Sequence, residues 1–153
     1  MLIRDIMDVK AARIRETSTF ATAAELLVLT QASDLIVIDH NGRLVGVVSE
    51  GDLIRAVMPN LEAVLAAGGS LEEGFRSFLK SGKNLASQTI KRLIITAPIT
   101  VAPTDELLQT ATIMIDRMIR RLPVVENGRF VGTVSRADIC WALLCSKPGN
   151  QSD

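Results

Sequence analysis

Two segments of this chain, Asn41–Met58 (NGRLVGVVSEGDLIRAVM) and Asn127–Leu144 (NGRFVGTVSRADICWALL), match each other at a shift of 86 positions. Nine of the 18 aligned positions are identical. The same shift continues upstream without a gap and places Ile14 on Thr100. A supersecondary unit has therefore been used twice in this chain.

Each copy predicts the element order β-α-β-β-α. Apolar residues at helical spacing follow Ser18 and Thr104, which we expect to be the N-caps of the first helices. Short apolar runs that end at Asn-Gly predict an antiparallel hairpin. Ser49 and Ser135 then begin the second helices. Upstream, Ile6-Met7 with Arg13-Ile14, and Ile94-Ile95 with Ile99–Val101, supply a short lead-in strand to each copy.

The predicted fold class is therefore α/β (α+β), with two β-α-β-β-α units. A unit of about 55 residues buries too little apolar surface to be stable alone, so we expect the copies to pack sheet to sheet with pseudo-two-fold symmetry. Clefts between the copies would then be the sites to search for a ligand. The predicted boundaries are repeat 1 at 1–58, a helical linker at 59–88, repeat 2 at 89–146 and a disordered tail at 147–153.

The linker predicts two short helices. Asn60 precedes the first, Gly68-Gly69 ends it, and Ser70 with Glu73 forms a capping box before the second. The helices either cover an exposed face or extend a dimer contact. Alternatively, they form a mobile lid or a partner-docking element with the glycines as hinges.

Composition excludes several functions. With 17 basic and 17 acidic side chains, and no basic cluster longer than a pair, the chain lacks the positive surface that nucleic acid requires, so we expect no nucleic-acid partner. No apolar run reaches the roughly 18 to 20 residues that cross a bilayer, and the first residues do not resemble a signal peptide. We expect no membrane partner and a cytoplasmic location.

Catalytic chemistry is also not indicated. The single histidine, His40, lies in a turn-forming Asp-His-Asn-Gly context. Cys140 and Cys145 lack the spacing of a zinc site, and we expect both to be reduced, packed thiols. There is no Gly-x-x-x-x-Gly-Lys-Ser/Thr loop and no nucleophile with a neighbouring base, so we predict no catalytic residues, no metal site and no enzyme.

The repeated motif Gly-x-x-Ser-x-x-Asp is the candidate binding element. It spans Gly46–Asp52 in repeat 1 and Gly132–Asp138 in repeat 2. Glycine allows a close approach to another backbone or to a flat ligand, and the N-terminus of the following helix can accept phosphate. The aspartate offers two acceptor oxygens for a ribose diol. Ser-x-x-Asp is also a capping arrangement, and both roles can hold together.

The chain resembles a tandem pair of cystathionine-β-synthase (CBS) domains, or Bateman module. The resemblance rests on the two motifs, on Ile99–Thr104 before a helix and on Leu122–Val125 in a strand. The resemblance implies a noncatalytic regulatory module, often dimeric, that binds AMP, ADP or ATP. S-adenosylmethionine and NAD are alternative ligands, and no other cofactor is required. The partner that reads occupancy is either a second copy in a homodimer or another protein.

The resemblance assigns the nucleotide-binding residues position by position. Asp52 and Asp138 would hold the ribose hydroxyls, and Ser49 and Ser135 would lie near ribose or phosphate. The cleft of repeat 1 departs from the family pattern because it has Ile14 where repeat 2 has Thr100. The remaining assigned residues are Leu122, Pro123 and Thr133 of repeat 2, with Ile36 and Val47 of repeat 1.

Local charge predicts that the two sites differ. Arg136, beside Ser135, could offer a forked donor to phosphate, whereas the corresponding Glu50 would repel one. We therefore expect the Ser135/Asp138 site to be the stronger one. The alternative to a nucleotide sensor is a structural dimerisation scaffold whose clefts hold no ligand.

Overall fold

The computed structural model describes residues 1–145, so the tail predicted at 147–153 lies outside the described residues. The predicted order of elements is confirmed in both repeats. The helices are α1 Phe20–Thr30, α2 Glu50–Val57, α3 Leu61–Ala66, α4 Leu71–Leu85, α5 Leu107–Asp116 and α6 Arg136–Leu144. The strands are β1 Arg13–Arg15, β2 Asp34–Ile38, β3 Leu44–Ser49, β4 Ile95–Thr96, β5 Arg121–Glu126 and β6 Arg129–Ser135.

The chain divides into two compact units, which we name after their motif aspartates. The Asp52 unit contains Ala12–His40 and Val45–Thr96, and the Asp138 unit contains Met1–Ala11, Asn41–Leu44 and the described residues from Ala97 onward. Each unit combines segments of both predicted repeats, because residues 1–11 and 41–44 of repeat 1 belong to the Asp138 unit and residues 89–96 of repeat 2 belong to the Asp52 unit.

The Asp52 unit is built on a four-stranded sheet in the order β1-β2-β3-β4. β1 is parallel to β2, with Ile14 opposite Val37, and β4 is antiparallel to β3, with Thr96 opposite Gly46. The apolar side chains of one face of the sheet pack against α1 and α2. The buried core consists of Ile14, Phe20, Ala23, Leu27, Leu35, Val37, Val48, Leu53 and Ile90.

The Asp138 unit is built on the antiparallel pair β5 and β6. Single bridges extend this pair on both sides: Val101 pairs with Val124 in parallel, and Asp8 pairs with Thr133 in antiparallel. The arrangement repeats that of the other sheet in a shorter form. Its buried core consists of Ile3, Val101, Leu107, Met114, Leu122, Val124, Val134, Ile139 and Ala142.

The prediction of the lead-in strands is confirmed at Arg13-Ile14, which lies in β1, and the other segments differ from it. Ile6-Met7 forms no strand, and the bridge to β6 is made by the next residue, Asp8. The second lead-in strand is Ile95–Thr96 and pairs with β3 of repeat 1. β4 therefore flanks the β2–β3 hairpin as a strand, and Asp8 flanks the β5–β6 hairpin by a single bridge. Gly46 and Gly132 allow the close approach at these two places.

The N-caps of the first helices also need correction. Thr19 caps α1 by accepting a hydrogen bond from Thr22 N at 3.2 Å, while the backbone of Ser18 is bonded to Arg15 and Ile90. α5 begins after Glu106, which makes no side-chain cap, two residues beyond the predicted Thr104. Helix existence was predicted correctly, and the error lies at the boundary.

The linker forms the two predicted helices, α3 and α4, capped by Asn60 and Ser70 as expected. With 15 residues, α4 is longer than the predicted short helix. It contacts α2, and Leu85 packs against the core of the Asp52 unit. This packing supports the covering role for the linker.

Three smaller expectations have different outcomes. His40 lies in the predicted turn. Cys140 and Cys145 are free thiols as expected, but both are exposed, so the prediction that they are packed was wrong. Cys140 lies in α6 and Cys145 is the C-cap of this helix, in which Trp141 and Leu144 are exposed as well. No helix within residues 1–145 is long and apolar enough to cross a membrane.

Candidate functional site

Both Gly-x-x-Ser-x-x-Asp motifs fold into a strand that ends directly in a capped helix. Ser135 N and Oγ donate to Asp138 Oδ2, each at 2.7 Å, and Asp138 N donates to Ser135 Oγ at 3.2 Å. Ser49 and Asp52 make the same three contacts at 2.9, 2.8 and 3.2 Å. The capping interpretation of the motif is therefore realised in both repeats, and it consumes one oxygen of each aspartate.

The motif glycines serve a close approach between backbones. A Cβ on Gly132 would lie 2.8 Å from Asp8 O, and one on Gly46 would collide with Ile95 O. Asp8 exchanges two backbone hydrogen bonds with Thr133, at 2.8 and 3.0 Å. Only a residue without a side chain allows the lead-in segment to lie this close to the hairpin.

The second oxygen of Asp52 is occupied. Arg55 donates its guanidinium to Asp52 Oδ1 at 2.5 Å. Burial raises the pKa of Asp52, but the hydrogen bonds from Ser49 N, Ser49 Oγ and Arg55 outweigh this effect and hold the pKa below its ordinary value of 3.8. Both carboxylate oxygens of repeat 1 therefore have partners within the protein.

The lowered pKa predicts how Asp52 affects stability with pH. A carboxylate whose folded pKa is depressed stabilises the fold above its unfolded pKa, and this contribution is lost as the pH falls from about 3.8 through the folded pKa. We expect the protein to be more stable than Asp52→Asn at pH 6, with the difference shrinking below about pH 4. Thermal melts between pH 2.5 and 7 measure it. A difference that persists undiminished at pH 2.5 would contradict the prediction.

Asp138 differs from Asp52 in its outer oxygen. The position that corresponds to Arg55 is occupied by Trp141, a residue that is 65% exposed. Among residues 1–145, no group donates a hydrogen bond to Asp138 Oδ1. One carboxylate oxygen therefore stays available in repeat 2.

A cavity of about 300 Å³ lies beside this carboxylate, within the Asp138 unit. Asp5 is a second acidic side chain in its wall, and its Oδ2 accepts a hydrogen bond from Leu2 N at 2.8 Å. Met1, which carries the α-amino group, also lines the cavity, and none of the lining residues within 1–145 is a lysine or an arginine. The lining residues are Met1, Asp5, Ile6, Met7, Asp138 and Trp141.

Arg136 has a different role from the expected one. Its Nε donates to Ile119 O at 2.9 Å and its guanidinium NH2 donates to Met114 O at 2.7 Å, beside the C-terminal end of α5. A cation is favoured there because helix carbonyls carry partial negative charge. The geometry corrects the expectation that Arg136 offers its fork to a phosphate, since the fork already binds two carbonyls.

The other residues assigned in repeat 1 are Ile14, Ile36 and Val47. Ile14 is 5% exposed and belongs to the core of the Asp52 unit, and its assignment as a nucleotide-binding residue stays a prediction. Ile36 is also buried, between two core residues of β2, and by strand alternation points to the opposite face. Val47 is half-buried opposite Ile95.

In repeat 2, Leu122, Pro123 and Thr133 are buried, whereas Thr100 is exposed. Leu122 belongs to the core of its unit, and Pro123 O accepts a hydrogen bond from Val101 N at 3.1 Å. None of these four residues lies in the wall of the cavity beside Asp138. Their assignment as nucleotide-binding residues stays a prediction.

Sequence reasoning missed Asp5, Arg55 and Trp141. The shift of 86 positions carried a usable signal for two of them, since it aligns Arg55 with Trp141 one helical turn after the motif aspartates. Nothing in the sequence indicated that Asp5 lies beside Asp138, because Asp5 belongs to a short 3₁₀ turn at the other end of the chain from Asp138.

Comparison with known proteins agrees with this architecture. The protein MJ1426 of Methanocaldococcus jannaschii is 30% identical over 94% of this chain and 92% of its own length. The chloroplastic CBS domain-containing protein CBSX1 of Arabidopsis thaliana is also 30% identical, over 86% of this chain, which spans 58% of that protein.

The fold is similar to solved structures of the protein CBSX2. The structure from Arabidopsis thaliana has a TM-score of 0.76 and 26% identity, covering 94% of each chain. CBSX2 in complex with AMP has a TM-score of 0.72 and 25% identity, covering 94% of this chain and 96% of that one. The CBS domain family model matches residues 3–59 and 90–145. This chain therefore belongs to the CBS-domain family and carries the domain twice, as a tandem pair.

Proposed function

We propose that the chain is a noncatalytic regulatory module that binds an adenosine-containing ligand, AMP, ADP or ATP, and signals occupancy to a partner or across a homodimer. The observation that carries the proposal is Asp138 Oδ1, a carboxylate oxygen to which no group within residues 1–145 donates, beside a cavity of about 300 Å³. The likeness to CBSX2, which has been solved with AMP, supports the choice of ligand.

The proposed contact is a hydrogen bond between ribose and carboxylate. Asp138 Oδ2 is held by Ser135 N and Oγ, so the side chain has a fixed orientation before a ligand arrives. Oδ1 then accepts from ribose hydroxyls, in charge-assisted bonds that are about twice as strong as neutral ones. The cap and the binding role are compatible because they use different oxygens.

The two motifs should bind unequally under this proposal. In repeat 1 a ligand must displace Arg55 from Asp52, while in repeat 2 the corresponding Trp141 leaves Asp138 Oδ1 open. We therefore keep the predicted order, with Asp138 as the stronger site. The reason for this order of affinity is the difference between Arg55 in repeat 1 and Trp141 in repeat 2, and no longer the charge of Arg136.

Calorimetric titration of AMP into the protein and two variants tests the proposal. Removing a hydrogen-bonded charged partner should weaken AMP binding by about 10- to 100-fold in Asp138→Ala. Asp52→Ala removes the same helix cap from the other repeat and is the matched control, with a smaller loss. A larger loss from Asp52→Ala would contradict the order of the sites, and unchanged AMP binding in both variants would contradict the aspartate role.

A structural dimerisation scaffold remains the second candidate. One observation favours it: backbone packing and helix capping account for the glycine, serine and aspartate of both motifs without a ligand. Melting curves with millimolar adenosine, AMP, ATP and S-adenosylmethionine decide between the candidates, because a ligand that binds the native state raises Tm. An unchanged Tm with every ligand, together with a dimer in sedimentation, would favour the scaffold.

A further inference from the structure

Another cavity, of about 260 Å³, lies within the Asp52 unit between α1, α2 and α4, and we name it the helix cavity. Its larger lining side chains are those of Phe20, Leu53, Ile54, Val57 and Leu85. It shares no lining residue with the cavity beside Asp138, and no residue of either Gly-x-x-Ser-x-x-Asp motif lines it. The proposed nucleotide site therefore does not account for this space.

Small residues keep the helix cavity open. Ala21 and Ala24 of α1, Gly82 of α4 and Ala86, the C-cap of α4, form part of its wall. Apart from its own helix backbone and its chain neighbours, no atom of residues 1–145 lies within 4 Å of the position that a Cβ on Gly82 would take. Protein interiors are close-packed, and the side chains around a void lose dispersion contacts. These four small residues therefore maintain a space that a bound molecule could fill.

The two repeats differ at these positions. The shift of 86 positions aligns Ala21 with Leu107 and Ala24 with Thr110. Leu107 and Thr110 are both buried in the Asp138 unit. The duplicated fold therefore accepts larger side chains at both places, and the helix cavity is a feature of the sequence of repeat 1 rather than a requirement of the fold.

The wall of the helix cavity offers little to a polar ligand. Every lining residue within 1–145 has an apolar side chain or none. The first two amides of α1 are also engaged, since Phe20 N donates to Gln88 O at 2.9 Å and Ala21 N donates to Ala86 O at 3.0 Å. A polar or charged group that entered would lose its hydration without gaining hydrogen bonds, which is unfavourable.

The size of the helix cavity suits a ring or a short chain. Apolar cavities of about 150 Å³ stay dry and bind benzene. A volume of about 260 Å³ therefore leaves room for an alkyl substituent or a second ring. One turn of a partner helix, about 10 Å across and about 5.4 Å long, is too large to enter. Ala21, Ala24 and Ile54 are exposed, so the cavity opens to the surface and a small molecule can enter it.

We infer that the helix cavity binds a small, uncharged apolar molecule, either an aromatic ring with a short substituent or a short alkyl chain. The affinity comes from burial of apolar surface of the ligand and of the cavity wall. This site is separate from the proposed nucleotide site and goes beyond the proposed function, so either can fail without the other.

Toluene is the probe that tests the inference, and benzoate, a charged molecule built on the same ring, is its matched control. We expect toluene to shift the methyl NMR signals of Ile54, Val57 and Leu85 in the full chain and to raise Tm by about 2–4 °C. Benzoate at the same concentration should do neither, because its carboxylate finds no partner in the wall. Absence of both toluene effects up to the solubility limit of toluene, or equal effects of the two probes, would overturn the inference.

Two variants that fill the helix cavity locate the binding site. Ala21→Leu and Gly82→Leu each place a larger side chain in the space and should weaken toluene binding at least tenfold, with AMP affinity unchanged. Ala66→Leu adds the same side chain at an exposed position of α3, outside the cavity wall, and should bind toluene as the parent does. Undiminished toluene binding in a filling variant that melts cooperatively would overturn the inference. A parent that sediments as a dimer and a Gly82→Leu variant that sediments as a monomer would assign the cavity to a side chain of a second copy, and would overturn it as well.

Discussion

Gly46→Ala is expected to lower the free energy of unfolding by about 2–3 kcal/mol. The added Cβ would collide with Ile95 O, a backbone atom that cannot move aside without breaking the pairing of β4 with β3. Gly132→Ala should act in the same direction, because its Cβ would lie 2.8 Å from Asp8 O. Urea unfolding followed by circular dichroism measures both changes.

Gly82→Ala is the matched control for this effect. Gly82 lies inside α4, and apart from the backbone of its own helix and its chain neighbours, no atom of residues 1–145 comes within 4 Å of the position that its Cβ would take. Alanine should therefore stabilise the protein by about 0.5–1 kcal/mol through its helix propensity. If Gly46→Ala and Gly82→Ala changed stability equally, the collision would not be the cause.

Arg136→Met is expected to lower the free energy of unfolding by about 2–3 kcal/mol. The substitution removes two charge-assisted hydrogen bonds, to Ile119 O and Met114 O, from a half-buried position. Arg136→Lys should recover only part of this loss, since an ammonium group cannot reach two carbonyls with the geometry of a fork. Thermal and urea unfolding report the changes.

Arg55→Met is the control for loss of an arginine. Its guanidinium binds Asp52 from a side chain that is 72% exposed, and a surface ion pair contributes about 1 kcal/mol or less. A stability loss in Arg136→Met no larger than that in Arg55→Met would show that Arg136 does not stabilise α5. Arg136→Lys should also leave AMP affinity unchanged, whereas a tenfold loss would restore its predicted phosphate role.

The repeat made most of the fold predictable. Asn-Gly located both hairpins, and Ser-x-x-Asp located the start of α2 and α6, because turn and capping preferences act within a few residues of the chain. The matching glycines also indicated a close approach of another backbone, as found at Ile95 and Asp8.

What could not be predicted depends on contacts between distant segments. The sequence does not reveal that Arg136 donates to carbonyls 17 and 22 residues earlier. The residues next to an arginine in the chain look the same whether its side chain faces solvent or binds buried carbonyls. The cavity likewise joins Asp5 to Asp138 across most of the chain. The partner of each lead-in strand is another long-range choice that periodicity leaves open.

Each hairpin is flanked by a segment from the other half of the chain, because β4 pairs with β3 and Asp8 bridges to β6, so both halves are needed to cover these two edges. A fragment that ended before β4 would expose the backbone groups of β3, and a fragment that lacked Asp8 would expose those of β6. Such bare edges invite association with other chains. Cleavage between the two repeats should therefore yield two fragments that each tend to aggregate alone and that reassemble into the native pair when mixed.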